Sequence, residues 1–139
     1  MANKISNKSD LDNLASKAFL EIHDRAIAGK WLALKEHQSD HPSRQIDVDV
    51  KRYEELIRFL ADKLREDTRM VANRTVQTRD LLEERNIHES LFSLLDGMAD
   101  VASTGVVGSY GSYCQWYLNL RQGQIDHTAA IAKMKSLKK

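Results

Sequence analysis

Residues 48–85 read VDVKRYEELIRFLADKLREDTRMVANRTVQTRDLLEER and contain neither glycine nor proline. Apolar side chains recur at heptad spacing in the first half of the stretch, at Tyr53, Ile57, Leu60 and Leu64. This spacing places side chains on one face of an α-helix. Because the residues that usually end a helix are missing, the stretch predicts one helix from about residue 48 to residue 85, longer than most helices of globular proteins.

The composition of the whole chain extends this prediction to an all-α fold. Its 139 residues include six glycines and one proline, too few for the many turns of a β-sandwich. We expect a compact bundle of about five helices. The other predicted helices run from Ser9 to about Glu36, from Ile87 to about Thr104, from Ser112 to Arg121 with Gly123 as its end, and over a short segment after Asp126. Ser9, Asn86 and Asp126 are the predicted N-caps, and residues 38–44 are a predicted loop.

The length fits a single α-helical domain over residues 1–139, with a polar lead over 1–8 and a frayed basic tail over 135–139. Cys114 is the only cysteine, which excludes an intramolecular disulfide, and we predict a buried structural thiol there. The N-terminus lacks the apolar run of a secretory signal, and the uncharged stretch 101–120 is too polar to span a membrane. We therefore expect a cytoplasmic protein without a membrane partner.

The second half of the heptad stripe is polar, because it continues through Asp67, Val71, Arg74 and Thr78. Burying Asp67 or Arg74 alone would be costly, so each needs an opposite charge. Two antiparallel copies that cross near Met70 would bring Asp67 of one copy to Arg74 of the other, as a two-fold dimer requires. We predict self-association through these four residues, as a homodimer or higher homo-oligomer. The alternative is that this stretch projects into water.

Four aromatic residues, Tyr110, Tyr113, Trp116 and Tyr117, fall mostly on one face of the fourth predicted helix. Packing in the core is the commonest role of such a cluster, but tyrosine and tryptophan are also enriched where proteins contact their partners. We predict these four as partner-binding residues, with the core as the alternative. If Trp116 is core, the partner surface must lie on the long helix.

Charge is balanced over the chain, with a net charge of +1, but it is unevenly distributed. Residues 86–120 contain three acidic and no basic residues, whereas residues 121–139 contain five basic residues and one acidic residue. Lysines beside aromatic rings can hold phosphates while the rings stack on unpaired bases. The tail lysines therefore predict nucleic-acid binding as an alternative function, unless they only favour a helix C-terminus. These lysines are Lys133, Lys135, Lys138 and Lys139.

The group nearest to a metal-ligand cluster is Glu36, His37, Asp40 and His41. Pro42 disfavours helical geometry at His41, so the two imidazoles are not expected to share a face. The sequence also lacks a phosphate-binding glycine motif and a recognisable nucleophile–base pair. We predict no metal, no cofactor, no catalytic residues and no enzyme activity.

These observations favour a non-catalytic helical interaction protein that docks on another macromolecule as an adaptor, regulator or inhibitor. A long helix and an aromatic face can supply the contact area that such a protein needs. The alternative is a nucleic-acid-binding regulator of single-stranded DNA or RNA that uses the basic tail and the aromatic face.

Overall fold

The structure of the protein, a computed structural model, describes residues 14–37 and 46–137, and every regular element in these two ranges is helical. This confirms the all-α class and corrects the helix number to seven in the described ranges. In chain order they are a 3-10 helix at Ile22–Ile27, α1 at Ala28–His37, α2 at Ile46–Leu64, α3 at Thr68–Glu83, α4 at Leu91–Ser103, α5 at Tyr110–Gln122 and α6 at His127–Lys135. The predicted polar lead, the predicted loop and residues 138–139 lie outside the described residues.

The predicted long helix is two helices, α2 and α3. Directly after α2, Arg65 adopts a left-handed backbone with a φ of 56°. The amide of Glu66 then donates to the carbonyl oxygen of Ala61 at 2.8 Å, a hydrogen bond typical of helix ends with a left-handed residue. Asp67 caps α3, because its carboxylate accepts from the amide of Arg69 at 2.8 Å. The prediction of one helix is wrong because an arginine takes the conformation that sequence reasoning reserves for glycine.

The first predicted helix is also interrupted. Residues 14–16 are helical, but the chain then turns before the 3-10 helix begins. Glu21 and Asp24 form a reciprocal capping box at that start, and the ammonium group of Lys17 donates to Asp24 at 2.8 Å. The indole of the buried Trp31 donates to the carbonyl oxygen of Lys17 at 3.2 Å. Interactions between separate turns therefore fix a bend that the apolar periodicity does not predict.

Of the three predicted N-caps, Asp126 is confirmed, because its carboxylate accepts from the amide of Ala129 at 2.9 Å. Asn86 is not a cap: it has a φ of 62° and follows the end of α3. The cap of α4 is Ser90 instead, so α4 starts later than predicted. Ser9 lies outside the described residues. Gly123 is confirmed as the end of α5.

Buried apolar side chains from all six α-helices form one hydrophobic cluster. α4 packs against α2, α3 and α6, and it buries Leu91, Leu94, Leu95, Met98 and Val101. Each such side chain contributes about 2 kcal/mol when it leaves water. Gly97 lets α6 approach α4 closely, because a Cβ atom there would lie 2.8 Å from Cδ1 of Ile131. Among the described helices, none has the length and hydropathy needed to cross a membrane.

Candidate functional site

Most of the aromatic set predicted to bind a partner is core. Tyr110, Tyr113 and Tyr117 are buried, and Trp116 is half-buried. The core alternative therefore holds for the three tyrosines, and burial raises the pKa of Tyr117 to about 12. Each tyrosine hydroxyl has a partner within the chain: Thr75 Oγ1 at 2.8 Å for Tyr110, the carbonyl oxygen of Val106 at 2.6 Å for Tyr113, and His127 Nδ1 at 2.7 Å for Tyr117.

The residues predicted for self-association also have partners within the chain. Val71 and Thr78 are buried, and Asp67 pairs with Arg25, whose Nη2 lies 2.7 Å from Oδ2 of Asp67. The premise that Asp67 needs a countercharge from a second copy is therefore wrong. Homo-oligomerisation stays a prediction, but without the surface proposed for it. Arg74 is half-buried, and no carboxylate among the described residues pairs with it.

The basic tail is only partly described. Lys133 is exposed, and Lys135 is paired with Asp100 at 3.0 Å, while Lys138 and Lys139 lie outside the described residues. Three of the four rings predicted to stack on bases belong to buried tyrosines, and the fourth, Trp116, is half-buried. The described part of the chain thus brings no row of free lysines to an open aromatic face.

Most of the predicted metal-ligand candidates, the side chain of His37 and residues 40–41, lie outside the described part of the chain. Within that part, no three His, Cys, Asp or Glu side chains converge as metal ligands. Cys114 is buried as predicted, and its burial raises the pKa of the thiol to about 11. Such a thiol is a poor nucleophile at neutral pH.

A surface groove of about 680 Å³ lies between residues 19–23 and one face of α3. We call it the α3 groove. The α3 face follows helical spacing, so its side chains point to the same side. These side chains are Arg69, Met70, Asn73, Arg74 and Gln77.

Asn73 fixes the opposite wall of the α3 groove. The amide of Leu20 donates to Oδ1 of Asn73 at 2.6 Å, and Nδ2 of Asn73 donates to the carbonyl oxygen of Leu20 at 3.0 Å. Both residues are buried, so neither hydrogen bond competes with water. Nη1 of Arg69 adds a third contact, to the same carbonyl oxygen, at 3.3 Å. These hydrogen bonds hold the wall on α3, although the backbone at Leu20 is not part of a helix.

Two residues of this wall, one on each side of Leu20 in the sequence, are exposed and apolar. Phe19 is 57% exposed and Ile22 is 69% exposed, and both line the α3 groove. Single exposed apolar residues are ordinary, but neighbouring ones beside a groove are typical of contact surfaces. The Leu20 hydrogen bonds fix the backbone next to Phe19, so little backbone entropy would be lost there when a partner binds.

Two arginines form the polar part of the α3 groove. Nε of Arg69 and Nε of Arg74 are the only buried side-chain nitrogen or oxygen atoms in the described residues that have no hydrogen-bond partner. Arg74 packs against α5 at Gly111, where a Cβ atom would lie 3.2 Å from Cζ of the guanidinium group. Gly111 therefore leaves space for the arginine.

A second groove, of about 630 Å³, lies among α2, α4 and α6 and contains His127. Three of its polar lining residues already have partners within the chain, His127 with the hydroxyl of Tyr117 and Lys135 with Asp100. Nη1 of Arg121 contacts both Glu89, at 2.7 Å, and the hydroxyl of Tyr117, at 2.6 Å. The same hydroxyl lies 2.7 Å from Nδ1 of His127. The Lys135–Asp100 pair closes the rim. The α3 groove is the stronger candidate because its arginines are not paired in this way.

The fold and the α3 groove define an all-helical protein that presents a small, partly apolar and partly cationic surface groove. Residues 29–139 match the MoxZ family, and the chain belongs to that family. The matched region includes α3 with both arginines, and the wall at residues 19–23 precedes it. Comparison with curated proteins and with solved structures gives no match.

Proposed function

We propose that the protein is a non-catalytic interaction protein that docks on another protein as an adaptor, regulator or inhibitor, and that the α3 groove is its contact surface. The observation that carries this proposal is the exposure of Phe19 and Ile22 on a wall that Asn73 clamps in place. The sequence prediction of a partner-binding protein is kept, but its surface moves from the tyrosines to α3. This agrees with the expectation that the long helix would serve if the aromatic helix were core.

The chemistry of the α3 groove suits docking. Apolar side chains supply most of the free energy of protein association, and guanidinium groups supply orientation and hydrogen bonds. Both kinds of group are present within one groove. Nucleic-acid binding has less support, because the tyrosine rings are buried and Lys135 is already paired.

The experiment compares three forms of the full chain: the unmodified protein, the double variant Phe19→Ser/Ile22→Ser, and the control Val107→Ser. Val107 is 96% exposed on a loop that does not line the groove, so the control also removes an exposed apolar side chain. Each form is immobilised and exposed to lysate of the native cell, and retained proteins are quantified by mass spectrometry.

We expect at least one protein to be retained by the unmodified and Val107→Ser forms and to fall tenfold or more with the double variant. Equal melting temperatures would show that the loss is not due to unfolding. The same retained proteins in equal amounts on all three forms would contradict the proposal.

A further inference from the structure

We propose that the α3 groove recognises an acidic peptide segment of its partner, in which one carboxylate binds Arg74 and Arg69 and a neighbouring apolar side chain packs on Phe19 and Ile22. This inference rests on the function proposed above and specifies the chemistry of the partner.

The first argument is charge. Several cations of the described chain have a carboxylate partner, such as Lys17 with Asp24, and Arg25 with Asp67. Arg69 and Arg74, both half-buried, form no ion pair with a described residue, and the attraction between Arg69 and Asp67 is shared with Arg25. A guanidinium group that has lost part of its water without forming an ion pair favours binding of an anion from outside the chain.

The second argument is the hydrogen-bond inventory. The two buried nitrogen atoms that lack an acceptor, Nε of Arg69 and Nε of Arg74, belong to residues of α3 that line the same groove. Buried polar atoms are nearly always satisfied, so each exception needs an explanation. An acceptor on a bound segment would provide one, once the guanidinium groups turn toward it.

The third argument is geometry. Arginine presents its N–H groups as a planar fork that matches the two oxygens of a carboxylate. Gly111 of α5 lies against the guanidinium group of Arg74, which limits the orientations open to that side chain. Ordering it on binding therefore costs less entropy than ordering an arginine that is surrounded by water.

The net charge of the groove decides between a carboxylate and a doubly charged phosphate. Glu21 lines the groove on the opposite wall from the two arginines, so the lining offers a single excess positive charge when His23 is neutral. One carboxylate balances that charge, whereas a phosphate group would bring a second negative charge close to Glu21. Phe19 and Ile22 then require an apolar residue next to the acidic one.

The test uses a displayed library of random twelve-residue peptides selected on the immobilised full chain. The strongest peptide is synthesised with a fluorescent label, and its affinity is measured by anisotropy. The proteins measured are the unmodified chain, Arg74→Gln, Arg69→Gln, the double variant Phe19→Ser/Ile22→Ser and the control Arg58→Gln. Arg58 is exposed on α2 and does not line the α3 groove, so the control changes the net charge equally.

We expect selected peptides to carry Asp or Glu beside a large apolar residue. Affinity should fall about tenfold with Arg74→Gln and less than twofold with Arg58→Gln. Changing the acidic residue of the peptide to its amide should cost about tenfold on the unmodified chain and almost nothing on Arg74→Gln, because the two groups would act on each other. A phosphoserine peptide of otherwise identical sequence should bind more weakly.

Selected peptides without an acidic residue would overturn the inference, as would an acidic residue whose loss costs the same on Arg74→Gln. Tighter binding of the phosphoserine peptide would overturn the choice of carboxylate. If peptides depend on Phe19 and Ile22 but not on either arginine, groove docking stands and the acidic segment fails. If binding depends on none of these residues, both proposals fail.

Discussion

Replacing Asp67 by asparagine and by alanine separates the two roles that the structure gives this residue. The carboxylate caps α3 through the amide of Arg69, and it pairs with Arg25 through two contacts, at 3.2 and 2.7 Å. Asparagine keeps an oxygen that can accept from the amide but loses the charge, whereas alanine loses both. The Asn variant therefore reports on the ion pair, and the difference between the two variants reports on the cap.

The cap should dominate. A side-chain N-cap contributes about 1 kcal/mol, so Asp67→Ala should be less stable than Asp67→Asn by about that amount, or about 3 to 5 °C in Tm for a chain of this size. The ion pair should contribute less than the cap, because the side chain of Arg25 is 56% exposed and water screens it. Its contribution should also fall with added salt.

Stability should depend on pH with a definite sign. The Arg25 guanidinium group beside Asp67 holds the pKa of that carboxyl below its usual value. A carboxyl group with a lowered folded-state pKa stabilises the protein above its unfolded pKa, and this stabilisation is lost as the pH falls through the folded value. The gap in stability between the unmodified chain and Asp67→Asn should therefore be constant near neutral pH and close below about pH 4.

Urea unfolding followed by circular dichroism supplies the measurement, with Arg25→Gln completing a double-mutant cycle. Asp67→Asn should cost nothing further once Arg25 has been changed. The same cycle with Arg74→Gln should show no coupling, because the structure does not pair Arg74 with Asp67. Coupling of Asp67 to Arg74 that appears only at high protein concentration would refute this reasoning and restore the two-fold dimer.

Two further predictions concern the backbone and the buried thiol. Arg65→Gly should raise the free energy of unfolding by about 0.5 to 1 kcal/mol, because glycine adopts the left-handed conformation without steric cost. The control Lys63→Gly within α2 should lower it by about 1 kcal/mol. Urea unfolding measures both, and a loss of stability with Arg65→Gly would contradict the break after α2. Burial raises the pKa of Cys114 to about 11. Its reaction with a thiol reagent at pH 8 should therefore be slow in the folded protein and fast in urea. Complete reaction of the folded chain within seconds would contradict that burial.

The C-terminal half of the fold could be predicted because its signals are local. Asp126 marks the start of α6 by its preference for the N-cap, and Gly123 marks the end of α5, although the left-handed residue there is Gln124. The apolar face of α4 is also visible in the sequence, since its residues recur at helical spacing. These features depend on contacts within a few residues, which a sequence pattern records directly.

The break between α2 and α3 could not be predicted in the same way. Three helix ends in the described chain place a residue other than glycine in the left-handed region, at Arg65, Asn86 and Gln124. Glycine is the usual sequence signal for such an end. Residue 65 is an arginine, so the sequence gives no such signal for the end of α2. A better reading of Asp67 and Thr68 as a helix start would have detected the break, because aspartate is a preferred N-cap.

The role of the aromatic helix depends on distant partners. Tyr110 is buried with its hydroxyl 2.8 Å from Thr75, a residue 35 positions earlier in the chain. The clamp between Leu20 and Asn73 joins residues 53 positions apart. A pattern that measures periodicity along one helix contains no information about such pairs, so it could show neither the core role of the tyrosines nor the α3 groove.

The polar half of the heptad stripe shows how a sequence anomaly becomes a candidate site. Four polar side chains lie in or beside this half of the stripe, at residues 73, 74, 75 and 78, and the fold supplies hydrogen-bond partners for three of them. Asn73 clamps Leu20, and the hydroxyls of Thr75 and Thr78 each donate to a backbone carbonyl oxygen one turn earlier, at 2.7 Å. Arg74 is the exception, because no acceptor among the described residues satisfies its side chain. Among the described residues, the buried side-chain atoms left without a hydrogen-bond partner are Nε of Arg69 and Nε of Arg74, and both residues line one groove. The cost of unmet hydrogen bonds is thus concentrated at a single surface. An external acceptor would relieve that cost, which supports the contact surface that we propose on α3.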